Sequence, residues 1–140
     1  ATGSVSVFNY NRKNGVQLFK TYGATAKAGF GSSVAVGKFT QAQALTIAIG
    51  VPLDDAPTTN PKKPLKDAGS VTILRGSDFS LMDRIYGNAS KDNVGASLSF
   101  SDVTGDLQAE LLIGVPGADD AVNPKIKDAG ALYILQATGR

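Results

Sequence analysis

Short stretches of Val, Ile, Leu and Phe recur along this chain, each bounded by Gly or Pro. Some alternate with polar residues: Val5 and Val7, and Val71 and Ile73, take turns with Ser or Thr. That period of two predicts strands with one face buried. Others run almost unbroken. Leu45-Thr46-Ile47-Ala48-Ile49 and Leu111-Leu112-Ile113 predict strands covered on both faces. Two more strands are predicted over Gly15–Gly23 and Phe79–Gly87. No window of eleven or more residues carries a helical period. The expected fold class is therefore all-β.

The pattern repeats. Gly31-Ser32-Ser33-Val34-Ala35-Val36 corresponds to Gly95-Ala96-Ser97-Leu98-Ser99-Phe100, 64 positions later. Ile47-Ala48-Ile49-Gly50-Val51-Pro52 corresponds to Leu111-Leu112-Ile113-Gly114-Val115-Pro116 at the same spacing. Gly69-Ser70-Val71-Thr72-Ile73-Leu74 corresponds to Gly130-Ala131-Leu132-Tyr133-Ile134-Leu135 at a spacing of 61, and again to Gly3-Ser4-Val5-Ser6-Val7-Phe8. The change from 64 to 61 has a local cause. Sixteen residues separate Pro52 from Gly69, and thirteen separate Pro116 from Gly130. Surface loops absorb such length changes at little cost. The strands fall into groups of two, four and three. Each group reads as all or part of a four-stranded antiparallel meander. One such sheet leaves apolar faces exposed, and stacking several buries them, which is the logic of a propeller.

Phe30-Gly31-Ser32-Ser33-Val34-Ala35-Val36-Gly37, followed by Leu45 to Pro52, resembles the FG-GAP repeat, the blade of the integrin α-subunit type β-propeller. Phe30-Gly31 stands at the "FG", and Gly50-Val51-Pro52 stands where the family has Gly-Ala-Pro. Val94-Gly95 and Gly114-Val115-Pro116 repeat both signatures. The resemblance covers essentially the whole chain. It implies four-stranded antiparallel blades, one complete and two partial. Residues 1–23 would be the last two strands of a blade, 24–87 a complete blade, and 88–140 the first three strands of the next. It further implies a seven-bladed ring, an extracellular or cell-surface setting, and a role in adhesion.

The resemblance also implies Ca²⁺ in the loop between a blade's first two strands, where the family reads roughly Asp-x-Asn-x-Asp-Gly-x-x-Asp. Here that loop is Asp102-Val103-Thr104-Gly105-Asp106-Leu107-Gln108-Ala109-Glu110. Asp102, Asp106 and Glu110 would give carboxylates, Thr104 a hydroxyl, and Gln108 its backbone carbonyl. Ca²⁺ takes six to eight such hard oxygens. Leu107 in place of the turn glycine and Glu110 in place of Asp depart from the family pattern. The alternative is a metal-free turn held by side-chain-to-backbone hydrogen bonds. The equivalent stretch in the first copy, Gly37 to Leu45, has no carboxylate, and Lys38 replaces the first Asp. Ca²⁺ is expected at one site, in the second repeat.

Composition narrows the chemistry. With neither Cys nor His, thiolate nucleophiles, disulfides and His-ligated metals are excluded. No carboxylate sits in a context that predicts a raised pKa, and no Gly-rich phosphate loop precedes a helix, so no enzyme activity is expected. Charge is uneven: residues 1–53 hold five cations and no acid, whereas 54–140 hold nine cations and twelve acids. The cations, Arg12, Lys13, Lys20, Lys27 and Lys38 among them, are scattered, which argues against nucleic acid as a partner. No apolar run reaches the roughly 20 residues of a membrane helix, so no membrane insertion is expected. The chain opens Ala1-Thr2-Gly3, without an initiator Met or a signal-peptide pattern, which reads as a processed form or an excised piece. Expected partners are a protein ligand, or further blades supplied by a longer chain or an oligomer. A carbohydrate-binding propeller and a purely structural module are the alternatives. Tyr10, Tyr22, Tyr86 and Tyr133 read as packing residues rather than sugar platforms, and Asp54-Asp55 and Asp119-Asp120 as solvated loop acids.

Overall fold

The computed structural model describes residues 2–10, 15–40 and 45–137. Among these residues, nine strands form three antiparallel sheets. The first pairs β1 (Ser4–Tyr10) with β2 (Gly15–Tyr22). The second runs in order through β3 (Ser33–Gly37), β4 (Thr46–Val51), β5 (Ser70–Arg75) and β6 (Leu81–Tyr86). The third holds β7 (Ser97–Ser101), β8 (Glu110–Val115) and β9 (Ala131–Leu135). No helix occurs among the described residues, and so none long and apolar enough to cross a membrane.

Strand pairing sorts the middle sheet into two faces. Val34 pairs with Ile49, which pairs with Thr72; Val36 pairs with Ile47, which pairs with Leu74. This front face packs on the first sheet. Ile47, Ile49, Val51 and Leu74 meet Val5, Val7, Phe19 and Phe79 there, and the rings of Phe19 and Phe79 stack at 4.8 Å. The rear face carries Ser33, Ala35 and Gly37, aligned with Gly50, Ala48, Val71 and Ile73. It packs on the third sheet through Leu111, Ile113 and Val115, with Leu98 and Phe100 at the margin. β4 is buried throughout because both its faces are covered. Its unbroken apolar pattern predicted this, although Leu45 lies outside the strand and exposed.

Small residues let the second and third sheets approach closely. Gly95 takes φ +86°, and its carbonyl accepts the Ser33 hydroxyl at 2.7 Å. A Cβ on Gly50 would overlap that carbonyl. The repeat is visible in the backbone itself. Gly31 and Gly95, Lys27 and Lys91, and Asp67 and Asp128 each adopt positive φ as matched pairs.

A candidate metal-binding loop and the opposite rim

The sequence turns sharply between β7 and β8 because its acids capture the loop's own N–H groups. Asp102 Oδ1 accepts the Gly105 N–H at 2.6 Å, and Oδ2 accepts that of Leu107 at 2.9 Å. Asp106 Oδ1 accepts the Gln108 N–H at 2.9 Å, and Oδ2 accepts the Gln136 side-chain amide at 3.2 Å. Glu110 opens β8 and is 1% exposed. Its Oε2 accepts the N–H groups of Val103 and Thr104 at 2.8 and 3.2 Å, and its Oε1 accepts the Thr104 hydroxyl at 3.2 Å. The loop is also tied to its counterpart in the preceding sheet, where the Lys38 carbonyl accepts the Ala109 N–H at 2.9 Å. Residues 41–44 of that counterpart lie outside the described residues, so the expected metal-free stretch from Gly37 to Leu45 is only partly described.

Two features fit a hard cation in kind. Every side-chain ligand predicted for the site is an oxygen, and the carboxylate oxygens of Asp102 and Asp106 each keep a lone-pair direction after accepting one hydrogen bond, whereas Glu110 Oε2 already accepts two. The Gln108 side-chain carbonyl oxygen is buried without a hydrogen-bond partner. Arrangement is another matter. Asp102, Thr104 and Glu110 converge on the turn at 103–107, whereas Asp106 faces Gln108 and Gln136. Among the described residues no three carboxylates are gathered into a metal-holding cluster. Leu107, at the position the resemblance reserves for glycine, adopts φ +67° with its side chain 91% exposed. The left-handed turn is thus kept without the residue that favours it.

At the opposite ends of the strands lie two matched ion pairs. Asp55 pairs with Lys66 and accepts the Asp67 N–H at 3.0 Å. Asp119 pairs with Lys127 at 2.7 Å and accepts the Asp128 N–H at 3.2 Å. The lysine hydrogen bond, then the backbone N–H, holds each aspartate below its ordinary pKa. Asp120 is held low by the N–H groups of Asn123 and Val122. These acids are engaged in their loops, and Asp54 departs furthest from the solvated reading. It is buried and accepts the Ser70 hydroxyl at 2.7 Å. Asp92 corrects the expectation of no raised carboxylate: burial pushes its pKa up against the Ala89 N–H, which lowers it. The cause is its position under the 116–118 turn, where Gly117 donates to its carbonyl. Nothing in the local sequence signals that depth.

The tyrosines divide. Tyr133 packs on the core between the second and third sheets, as expected. Tyr10 and Tyr22 are exposed instead, and Lys20 Nζ sits 4.9 Å from the centre of the Tyr22 ring.

Comparison with known proteins bears on all of this. The FG-GAP repeat family matches residues 94–135, from the end of the 87–96 turn through β9. This chain contains an FG-GAP repeat. Integrin alpha-5 of Xenopus laevis is 30% identical over 106 residues, which is 75% of this chain and 9% of that protein. The antiparallel sheets of two, four and three strands accord with FG-GAP propeller blades. In those terms, the loop at 102–110 joins the first two strands of the matched repeat, and the two Asp–Lys pairs close the loops between second and third strands.

Proposed function

We propose that this chain is part of a non-catalytic, extracellular β-propeller that works by adhesion or other protein–protein contact, with one Ca²⁺ in its second repeat. Residues 24–87 form the complete blade, 1–23 the last two strands of one neighbour, and 88–140 the first three strands of the other. Asp102, Thr104, Asp106, Gln108 and Glu110 hold the ion. When bound it supplies cross-linking and charge neutralisation for a loop that concentrates three carboxylates. The observation that carries this reading is Leu107 held at positive φ in the middle of an all-oxygen loop. A turn kept at a steric cost is one the surroundings demand. Thermal melting with and without Ca²⁺ tests it. Ca²⁺ raises the melting temperature of the native chain and leaves Asp106→Ala unmoved; equal shifts in both, or none in either, reject the site.

Protein contact is favoured over carbohydrate because the Tyr22 ring, an exposed candidate platform, already holds the Lys20 ammonium over its face. Glycan-array binding by the native chain would reverse that preference.

A further inference from the structure

The turn between β6 and β7 carries a short signal that the propeller reading leaves unused. Seven asparagines occur in the chain, and one of them, Asn88, has a hydroxyl residue two positions on: Asn88-Ala89-Ser90. Asn-x-Ser/Thr, with x other than proline, is the acceptor triplet for an N-linked glycan. Asn60 and Asn123 are each followed by proline and lysine, and Asn93 by Val94 and Gly95, so none of these qualifies. Nor does the triplet come with the repeat. Gly87 and Lys91 match Gly23 and Lys27, 64 positions earlier, yet the residues between them there are Ala24-Thr25-Ala26.

The fold decides whether such a triplet is within reach of a large enzyme. This turn is anchored at both ends. Gly87 is buried, and its N–H donates to the Gly69 carbonyl at 2.9 Å; a Cβ there would overlap the Ala68 carbonyl. Asp92 is buried at the other end, and its Oδ2 accepts the Ala89 N–H at 3.1 Å. Lys91, at φ +69°, turns the chain back and donates its N–H to the Lys66 carbonyl at 2.8 Å. Between these anchors Asn88, Ala89, Ser90 and Lys91 are all exposed. The triplet therefore stands out from a braced turn, where a bulky polar substituent displaces no packed side chain. Exposed turns of this kind tolerate large additions.

Its neighbours place it on one rim. Lys91 bonds to the 52–69 loop, and Gly117 of the 116–130 loop donates its N–H to the Asp92 carbonyl at 3.0 Å. These are the loops of the Asp55–Lys66 and Asp119–Lys127 pairs, at the far ends of the strands from the 102–110 loop.

Resting on the extracellular reading above, we propose that Asn88 is an N-glycosylation site. The donor is an oligosaccharide carried on a polyprenyl diphosphate. Asn88 Nδ2 forms a bond to the anomeric carbon of the first sugar, the bond from that carbon to the diphosphate oxygen breaks, and the amide gives up one proton to a base of the transferase. The lipid diphosphate leaves, and nothing is oxidised or reduced. The Ser90 hydroxyl is the group that marks Asn88 to the transferase. The glycan then stands between the 52–69 and 116–130 loops, covers that rim, and leaves the 102–110 loop clear.

The whole protein that contains this chain, taken from the cells that make it, tests the site. Surface and secreted fractions are separated from the cell interior. Trypsin then frees the peptide Ile85-Tyr86-Gly87-Asn88-Ala89-Ser90-Lys91, which Arg84 precedes. Peptide N-glycosidase in heavy-oxygen water leaves a labelled aspartate at 88 wherever a glycan stood. The label is expected in the external fraction, is lost in Asn88→Gln and in Ser90→Ala, and is kept in Ser90→Thr. All three substitutions lie at exposed positions, so each variant should melt at the temperature of the deglycosylated native protein, which separates loss of the acceptor from loss of the fold. An external protein with Asn88 unmodified overturns the site and leaves the extracellular reading standing, and a label that survives Ser90→Ala also overturns it. A protein found only inside the cell overturns both.

Discussion

Leu107 shows how one residue can be read from sequence and yet surprise in structure. The sequence marks it as a departure from a turn glycine, and the fold keeps the turn regardless. A side chain in the left-handed region costs roughly 1–2 kcal/mol. Glycine's greater freedom in the unfolded chain gives back ~0.4–1 kcal/mol of any relief. Leu107→Gly should therefore stabilise the chain by about 1 kcal/mol or less, seen as a higher urea midpoint. On the Ca²⁺ reading it should also tighten binding several-fold in a calorimetric titration. A lower midpoint would mean that the Leu107 side chain contributes contacts that its exposure denies. Asp92 acts in the opposite sense to the paired aspartates. Burial raises its pKa in the folded chain, so the folded state holds the proton more tightly than the unfolded one. Asp92 thus costs stability above the ordinary aspartate pKa of about 3.9, and that cost fades as the pH falls below it. Asp92→Asn keeps an acceptor for the Ala89 N–H and should raise the melting temperature at neutral pH, with no gain near about pH 3. Asp55 and Asp119, with lowered pKa values, give stability that is present above about 3.9 and lost as acid protonates them. Both are exposed surface pairs, so their effect is small and weakens in salt.

At the scale of the element, β5 and β9 have closely similar patterns and different fates. Each puts apolar residues at the same two alternate positions, Val71 and Ile73 in one and Leu132 and Ile134 in the other, and each pairs antiparallel with the strand before it. The period of two in the first, the Gly before each and the repetition of the first in the second are legible in the chain, which is why both are predictable as strands. How deeply each is buried was not, because burial depends on which sheet lies behind. Ile73→Ala should cost about 2–5 kcal/mol, as for other buried large-to-small changes. Ile134→Ala, at the same strand position, should cost well under that in a single chain, since half its surface is already in water. Chemical denaturation of both variants checks the contrast. The loops follow the same division. The resemblance to the FG-GAP repeat puts Asp102, Thr104 and Glu110 on one loop, and the fold brings them onto one turn. Asp106 turned towards Gln136, thirty residues away, which no local pattern could show.

Across the whole molecule, residue order alone is enough to set the strands, their antiparallel order and their grouping into two, four and three. These rest on local quantities: the period of two, β-branched side chains, and turn residues at fixed offsets. Repetition carried the fold class further, because one sheet of this kind cannot cover its own faces. Which members of each repeated set are buried depends on the packing of one sheet against the next. Val71 and Leu132, and Val34 and Leu98, are set apart by their neighbours across a gap of sheets rather than by their own sequence. Burial is a property of contact between distant segments, and a strand's pattern specifies what it can pack against without specifying what it meets. The same reason governs Asp92 and Leu107: a long-range contact raises the pKa of one, and a whole loop holds the other at positive φ.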